Sequence, residues 1–158
     1  MTKRCYWVIS SIVLFVPLSV LLAAQETAPA AKPQTKSLKV TVSYKGKGKV
    51  DQNHGVYLFL FDNPDFVQNP GSSMPIAFQT VRANDESVTF DGLTAPTVYL
   101  VAAFDELGTY DLAAGAPPSG TPVALYKPGE TPIPTPIKFD EKKELEIRFE
   151  FNDAIRMP

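Results

Sequence analysis

Two short runs constrain this chain more than anything else in it. VYLFLF at residues 56–61 and VYLVAAF at 98–104 are apolar or aromatic at every position, so both faces of the elements they form must be covered. Each run is too short for a buried helix and rich in β-branched and aromatic residues. Each stops at turn residues, Asp62-Asn63-Pro64 after the first and residues 105–108 after the second. They read as the central strands of a sheet.

The flanking segments follow a different rule. Leu38, Val40, Val42 and Tyr44 alternate with Lys39, Thr41 and Ser43, and near the other end Leu145, Ile147, Phe149 and Phe151 alternate with Glu144, Glu146, Arg148 and Glu150. That period of two marks strands with one face in water. Shorter strands are expected at 76–81, 87–90 and 123–126. No stretch of ten residues beyond residue 24 keeps a 3.6 period, so helix should be nearly absent. Residues 117–136 hold seven prolines, which cannot donate to a ladder and so exclude a central strand there. An extended strap is expected instead, pairing with a sheet edge at 137–139 and covering the second apolar face of the central strands. The sum is an all-β domain over residues 37–151, an antiparallel two-sheet sandwich of about seven strands of the prealbumin-like or Ig-like kind, followed by a tail at 152–158. A small closed barrel is the alternative.

Residues 1–24 have the order of an export signal helix: Lys3 and Arg4, an apolar stretch over 6–22, then Ala23-Ala24. Leu22 is large for its place before a cleavage point and the apolar stretch is long, which leaves an uncleaved anchor as the alternative and the only route to a membrane. Residues 25–36, QETAPAAKPQTK, hold no apolar side chain larger than alanine and read as a flexible linker. The expected destination is the periplasm or the cell exterior. The single cysteine, Cys5, lies within the signal, so the exported part must hold together by burial without a disulfide. Cys5 is also misplaced for a lipid-bearing cysteine. The formal net charge is −2, and it becomes more acidic without Lys3 and Arg4, which excludes a nucleic-acid footprint.

The order GVYLFLFDNPDF, SVTFDGL, TVYLVAAFDELGTYDLAAGAPP over residues 37–151 resembles bacterial exported domains of the transthyretin-like (prealbumin-like) or carboxypeptidase-regulatory-like type, and a sibling group of exported domains of unknown function. The resemblance implies that Gly92 turns the chain at a strand end while Leu93 plugs the core. It also implies an acidic loop after the next strand, onto which Asp105, Gly108, Asp111, Gly115 and Pro117 can be laid. The asparagines usual in that loop are missing, which weakens any metal site. The hydrolases among such proteins depend on several histidines and a tyrosine-rich end; this chain has one histidine and ends AIRMP, so that activity does not carry over.

Asp105, Glu106, Thr109 and Asp111 are the candidate metal ligands. Calcium takes six to eight oxygens, and Leu107 and Tyr110 interrupt this set. The competing reading is a solvated turn. Tyr57, Phe59, Phe61 and Tyr99 are the candidate binding residues: alternate positions share a face, so exposed rings would form a platform for a sugar or a partner, unless the strap or a facing sheet buries them. His54 has no recognisable nucleophile beside it and reads as a turn residue. Lys45, Lys47 and Lys49 in KGKGK could touch an anionic headgroup or polysaccharide, or simply keep a loop soluble. The leading expectation is a non-catalytic exported module that binds a cell-envelope protein or glycan without a cofactor. A calcium- or carbohydrate-binding lectin-like domain is the alternative, and a hydrolase using His54 is the third reading.

Overall fold

The computed structural model describes residues 35–68, 73–126 and 134–158. The signal at 1–24, the linker up to residue 34 and the middle of the proline strap at 127–133 lie outside the described residues. The rest forms eight strands: β1 (Lys36–Tyr44), β2 (Val56–Phe61), β3 (Ala77–Val81), β4 (Ser87–Leu93), β5 (Thr97–Phe104), β6 (Val123–Leu125), β7 (Ile137–Lys138) and β8 (Glu144–Phe151). Two single 3-10 turns, Asp65–Val67 and Leu112–Ala114, are the only helical elements among the described residues. The architecture is the expected all-β sandwich of two packed, antiparallel-rich sheets.

The two apolar runs become neighbours at the centre. β2 and β5 pair antiparallel, Val56 with Phe104 through Phe61 with Tyr99, in a sheet ordered β3-β2-β5-β6, while β7 pairs with β5 beyond β6. The second sheet is ordered β4-β1-β8. Its inner face presents Leu38, Val40, Val42 and Tyr44 of β1, which meet Leu58, Leu60, Val98, Leu100, Ala102 and Phe104 of the first sheet in one core. Most of these are fully buried, and each large aliphatic or aromatic side chain so placed stabilises the fold by about 1.5–3 kcal/mol.

β1 and β8 pair in parallel, Ser37 with Glu144 through Tyr44 with Phe151 without interruption. Parallel neighbours need a long crossover. Here the entire five-stranded sheet lies between them in the chain. β4 pairs antiparallel on the other side of β1 and carries an irregularity opposite Lys36 and Leu38; SVTFDGL therefore stays in the sheet past Gly92, and Leu93 is buried in the core.

Among the described residues the sandwich is closed on one side and open on the other. On the closed side the Gln79 amide donates to the Thr89 carbonyl, joining β3 to β4, and the Glu86 carboxylate accepts from the Arg82 and Ala83 amides in the intervening turn. Asn84 extends the closure: its side chain accepts from the Tyr44 amide and donates to the Tyr44 carbonyl, in place of a strand partner. On the open side the edges are β6 and β8. Residues 152–158 span them at one end only, where Val123 donates to Ile155 and Met157 donates to Thr121.

Candidate functional site

The acidic loop after β5 is a folded flap. Asp105 is buried, and its two carboxylate oxygens accept from the Thr109 and Tyr110 amides at 3.1 and 2.9 Å. Glu106 turns away to Arg156 at 2.8 Å, which ties the loop to the C-terminal segment. Asp111 caps the Leu112–Ala114 turn by accepting from the Ala113 amide. Gly108 lies at φ +67°, and a Cβ there would sit 2.8 Å from the Asn53 carbonyl oxygen, so the flap and the 51–55 turn pack together only with glycine at this point. The three candidate carboxylates thus engage separate partners, and Thr109 is tied to Asp105 through its amide. Among the described residues, no three His, Cys, Asp or Glu side chains gather closely enough to hold a metal ion.

The flap delivers Tyr110 onto the outer face of the central strands. β-pairing places Tyr57, Phe59 and Phe61 of β2 on that face beside Ala103, Val101 and Tyr99 of β5. Tyr110 packs edge-on against Tyr57 at 4.8 Å and Phe59 at 6.4 Å between ring centres, and Phe59 is only 8% exposed. Burial, with the neighbouring Tyr57 and Asp111, raises the Tyr110 hydroxyl above its ordinary pKa. Farther along, Phe66 stacks on Phe61 at 4.1 Å. The structure therefore brings all four candidate rings to one face and half-covers it, but with the flap and with Phe66 of the turn after β2. The described ends of the proline-rich segment run along the edge of β5 instead, as β6 and β7.

Alternation alone could not show Tyr110. Its position after an acidic turn carried no period, although a tyrosine in a glycine-hinged loop beside two all-apolar strands is a usable signal.

What remains uncovered is a cleft of about 1060 Å³. Phe61, Phe78, Val101 and Leu125 form its floor and Phe66 and Met74 one wall. At its far side it passes over β6 to the edge of β8, reaching Arg148, Phe149 and Glu150. Phe78 is 55% exposed, Met74 86% and Ile155 53%. Apolar groups of this size gathered around one opening are unusual on a surface without a partner.

Two other features lie at one end of the sandwich. In KGKGK the lysines face solvent and the glycines press inward: a Cβ on Gly46 would fall 2.1 Å from the Tyr44 hydroxyl oxygen, and one on Gly48 would fall 2.2 Å from Phe104 Cε1. The motif is a lid over the Tyr44 and Phe104 rings, which pack at 4.3 Å. His54 shares a hydrogen bond of 2.9 Å with Asp51, in the same turn, and this contact holds the Asp51 carboxyl below its ordinary pKa.

No protein-family model matches the chain, and no curated protein does. Among solved structures it is similar to an alternative pilotin from the type II secretion system of Vibrio cholerae, at 12% identity, covering 73% of this chain and 96% of that one, with a TM-score of 0.42. A likeness of that degree carries nothing about what this chain binds. The class defined by the fold and the site is an all-β sandwich with an aromatic-lined cleft on its open side.

Proposed function

We propose that this chain is a non-catalytic binding module of the cell envelope, and that it takes an apolar segment of a protein partner in the cleft between the outer face of β2 and β5 and the edge of β8. The observation that carries this reading is the cleft itself: large, open and floored by aromatic and aliphatic side chains. A glycan is a poorer fit, because stacking on a sugar needs free ring faces, and with Tyr110 against Tyr57 and Phe59 and Phe66 stacked on Phe61 the exposed ring of the floor is Phe78. Export rests on the residue order of the 1–24 segment. The resemblance of residues 37–151 to exported transthyretin-like domains belongs to the same reading.

The test is in-cell photo-cross-linking with benzoylphenylalanine at Phe78, inside the cleft, and at Asp91, on the solvent side of β4. Discrete adducts from position 78, absent from position 91 and lost on Phe61→Asp, are the expected result. Adducts from both positions alike, or from neither, contradict the proposal.

A further inference from the structure

The five-stranded sheet ends in strands of three and two residues, β6 and β7, and the start of β6 is already bonded to the C-terminal segment through the Val123 amide and the Ile155 carbonyl. At the other side β3 and β4 meet one another. β4 also carries an irregular register. Short length, bulges and mutual cover are the usual ways of blunting a sheet edge. β8 has none of these; its one safeguard is the row of charged side chains at Glu144, Glu146, Arg148 and Glu150, which leaves its backbone groups open. It runs eight residues in unbroken register with β1, contains no proline, and has no strand beyond it among the described residues.

The direction of its backbone follows from two bonds. Ser37 donates to the Lys143 carbonyl and Lys45 to the Phe151 carbonyl, so the odd-numbered residues of this segment address β1. The amides and carbonyls of Glu144, Glu146, Arg148 and Glu150 therefore face the open side. Their side chains stand on the solvent face, whereas Leu145 and Ile147 point inward yet stay only half-buried, because no strand among the described residues continues the sheet over them.

We infer that the β8 edge accepts an extended segment of another protein as an added strand, one whose apolar side chains alternate with basic ones. This rests on the cleft being a binding site and specifies its partner. The added strand pairs with the four free residues, lays its apolar side chains over Leu145, Ile147 and the β8 end of the cleft, and sets its basic ones opposite Glu144, Glu146 and Glu150, three opposite-charge pairs against one like-charge contact at Arg148. Charge selects a foreign strand over a second copy. Antiparallel self-pairing centred anywhere from Glu146 to Arg148 sets at least one glutamate against a glutamate or Arg148 against itself.

The probe is a synthetic acetylated and amidated octapeptide, KVKIKVKT, added to the purified protein. Four forms are compared: the parent, a version with glutamate for lysine, and two in which alternate amides are N-methylated, one on the even and one on the odd residues. The parent is expected to bind saturably and to slow amide exchange at Glu144, Glu146, Arg148 and Glu150 at least tenfold. One methylated form should lose binding while the other keeps it. Arg148→Pro removes only an outward amide and should weaken binding at least tenfold, and Glu146→Lys with Glu150→Lys should transfer preference to the glutamate peptide. Equal binding of both methylated forms, or slowing confined to β2 and β5, would overturn strand addition while leaving the cleft as a binding site. So would a concentration-dependent dimer joined through β8. Failure of every peptide overturns the inference, and the Phe78 cross-link then decides separately whether the cleft binds anything.

Discussion

Replacing Asp105 tests whether the acidic loop is a structural staple or a ligand site. The carboxylate is 7% exposed and each of its oxygens accepts one backbone amide, from Thr109 and from Tyr110. A hydrogen bond to a charged group contributes about 1.5–3 kcal/mol, and removing the acceptor leaves partly buried amides unpaired. Asp105→Asn keeps one acceptor and turns an NH2 toward the other amide, so it should cost about 2 kcal/mol. Asp105→Ala loses both and should cost about 3–5 kcal/mol. Urea unfolding monitored by circular dichroism gives both values. The second bond positions Tyr110, so near-ultraviolet dichroism of the alanine variant should also show tyrosine packing lost over Tyr57 and Phe59. Millimolar calcium should leave the wild-type midpoint where it is. A loss under 1 kcal/mol for alanine, or a calcium-dependent rise in wild-type stability that Asp105→Asn abolishes, would refute the staple.

Gly48→Ala places a methyl group 2.2 Å from Phe104 Cε1 and should destabilise by about 1–3 kcal/mol in urea unfolding, with the ring forced aside. Phe59→Ala removes a covered ring and should cost about 3–5 kcal/mol, whereas an exposed platform residue would leave the urea midpoint nearly unmoved. Among the described residues the buried Tyr44 hydroxyl makes no well-formed hydrogen bond and has only the Gly48 amide near it, so Tyr44→Phe should change stability by no more than about 1 kcal/mol. Asp51 has a depressed folded pKa caused first by His54; its contribution to stability is present above the unfolded aspartate pKa and is lost as pH falls through the lower folded value. A carboxyl-detected NMR titration should find that low midpoint in the wild type and a partial rise toward the ordinary range in His54→Ala, where the amides of residues 53 and 54 still donate to the carboxylate.

The strands were legible because burial writes a period into the chain. Leu38 to Tyr44 and Leu145 to Phe151 alternate since one face is wet, and residues 56–61 and 98–104 do not since both faces are covered. Alternation does not encode a neighbour's direction. β1 and β8 would read the same in an antiparallel pair, and only their positions at opposite ends of the domain make parallel pairing natural. The aromatic face at Tyr57, Phe59 and Phe61 was readable from the same period, but its cover was not. Tyr110 reaches it through a loop held by backbone hydrogen bonds to Asp105, and such bonds leave no hydrophobic period. The open edge of β8 was hidden for a similar reason: which backbone amides are free depends on strand order, a long-range property. The C-terminal segment read as a tail because Arg156 and Ile155 act through a bridge to residues 120–123 and an ion pair to Glu106.

Residue-resolved amide hydrogen exchange along β8 in the free protein tests the open side most directly. A two-residue rhythm is expected: slow exchange at Leu145, Ile147 and Phe149, whose amides address β1, and fast exchange at Glu144, Glu146, Arg148 and Glu150, whose amides face outward. Uniform protection along the strand would mean that its outer edge is already occupied. Protection in the opposite phase would mean that β8 is paired some other way.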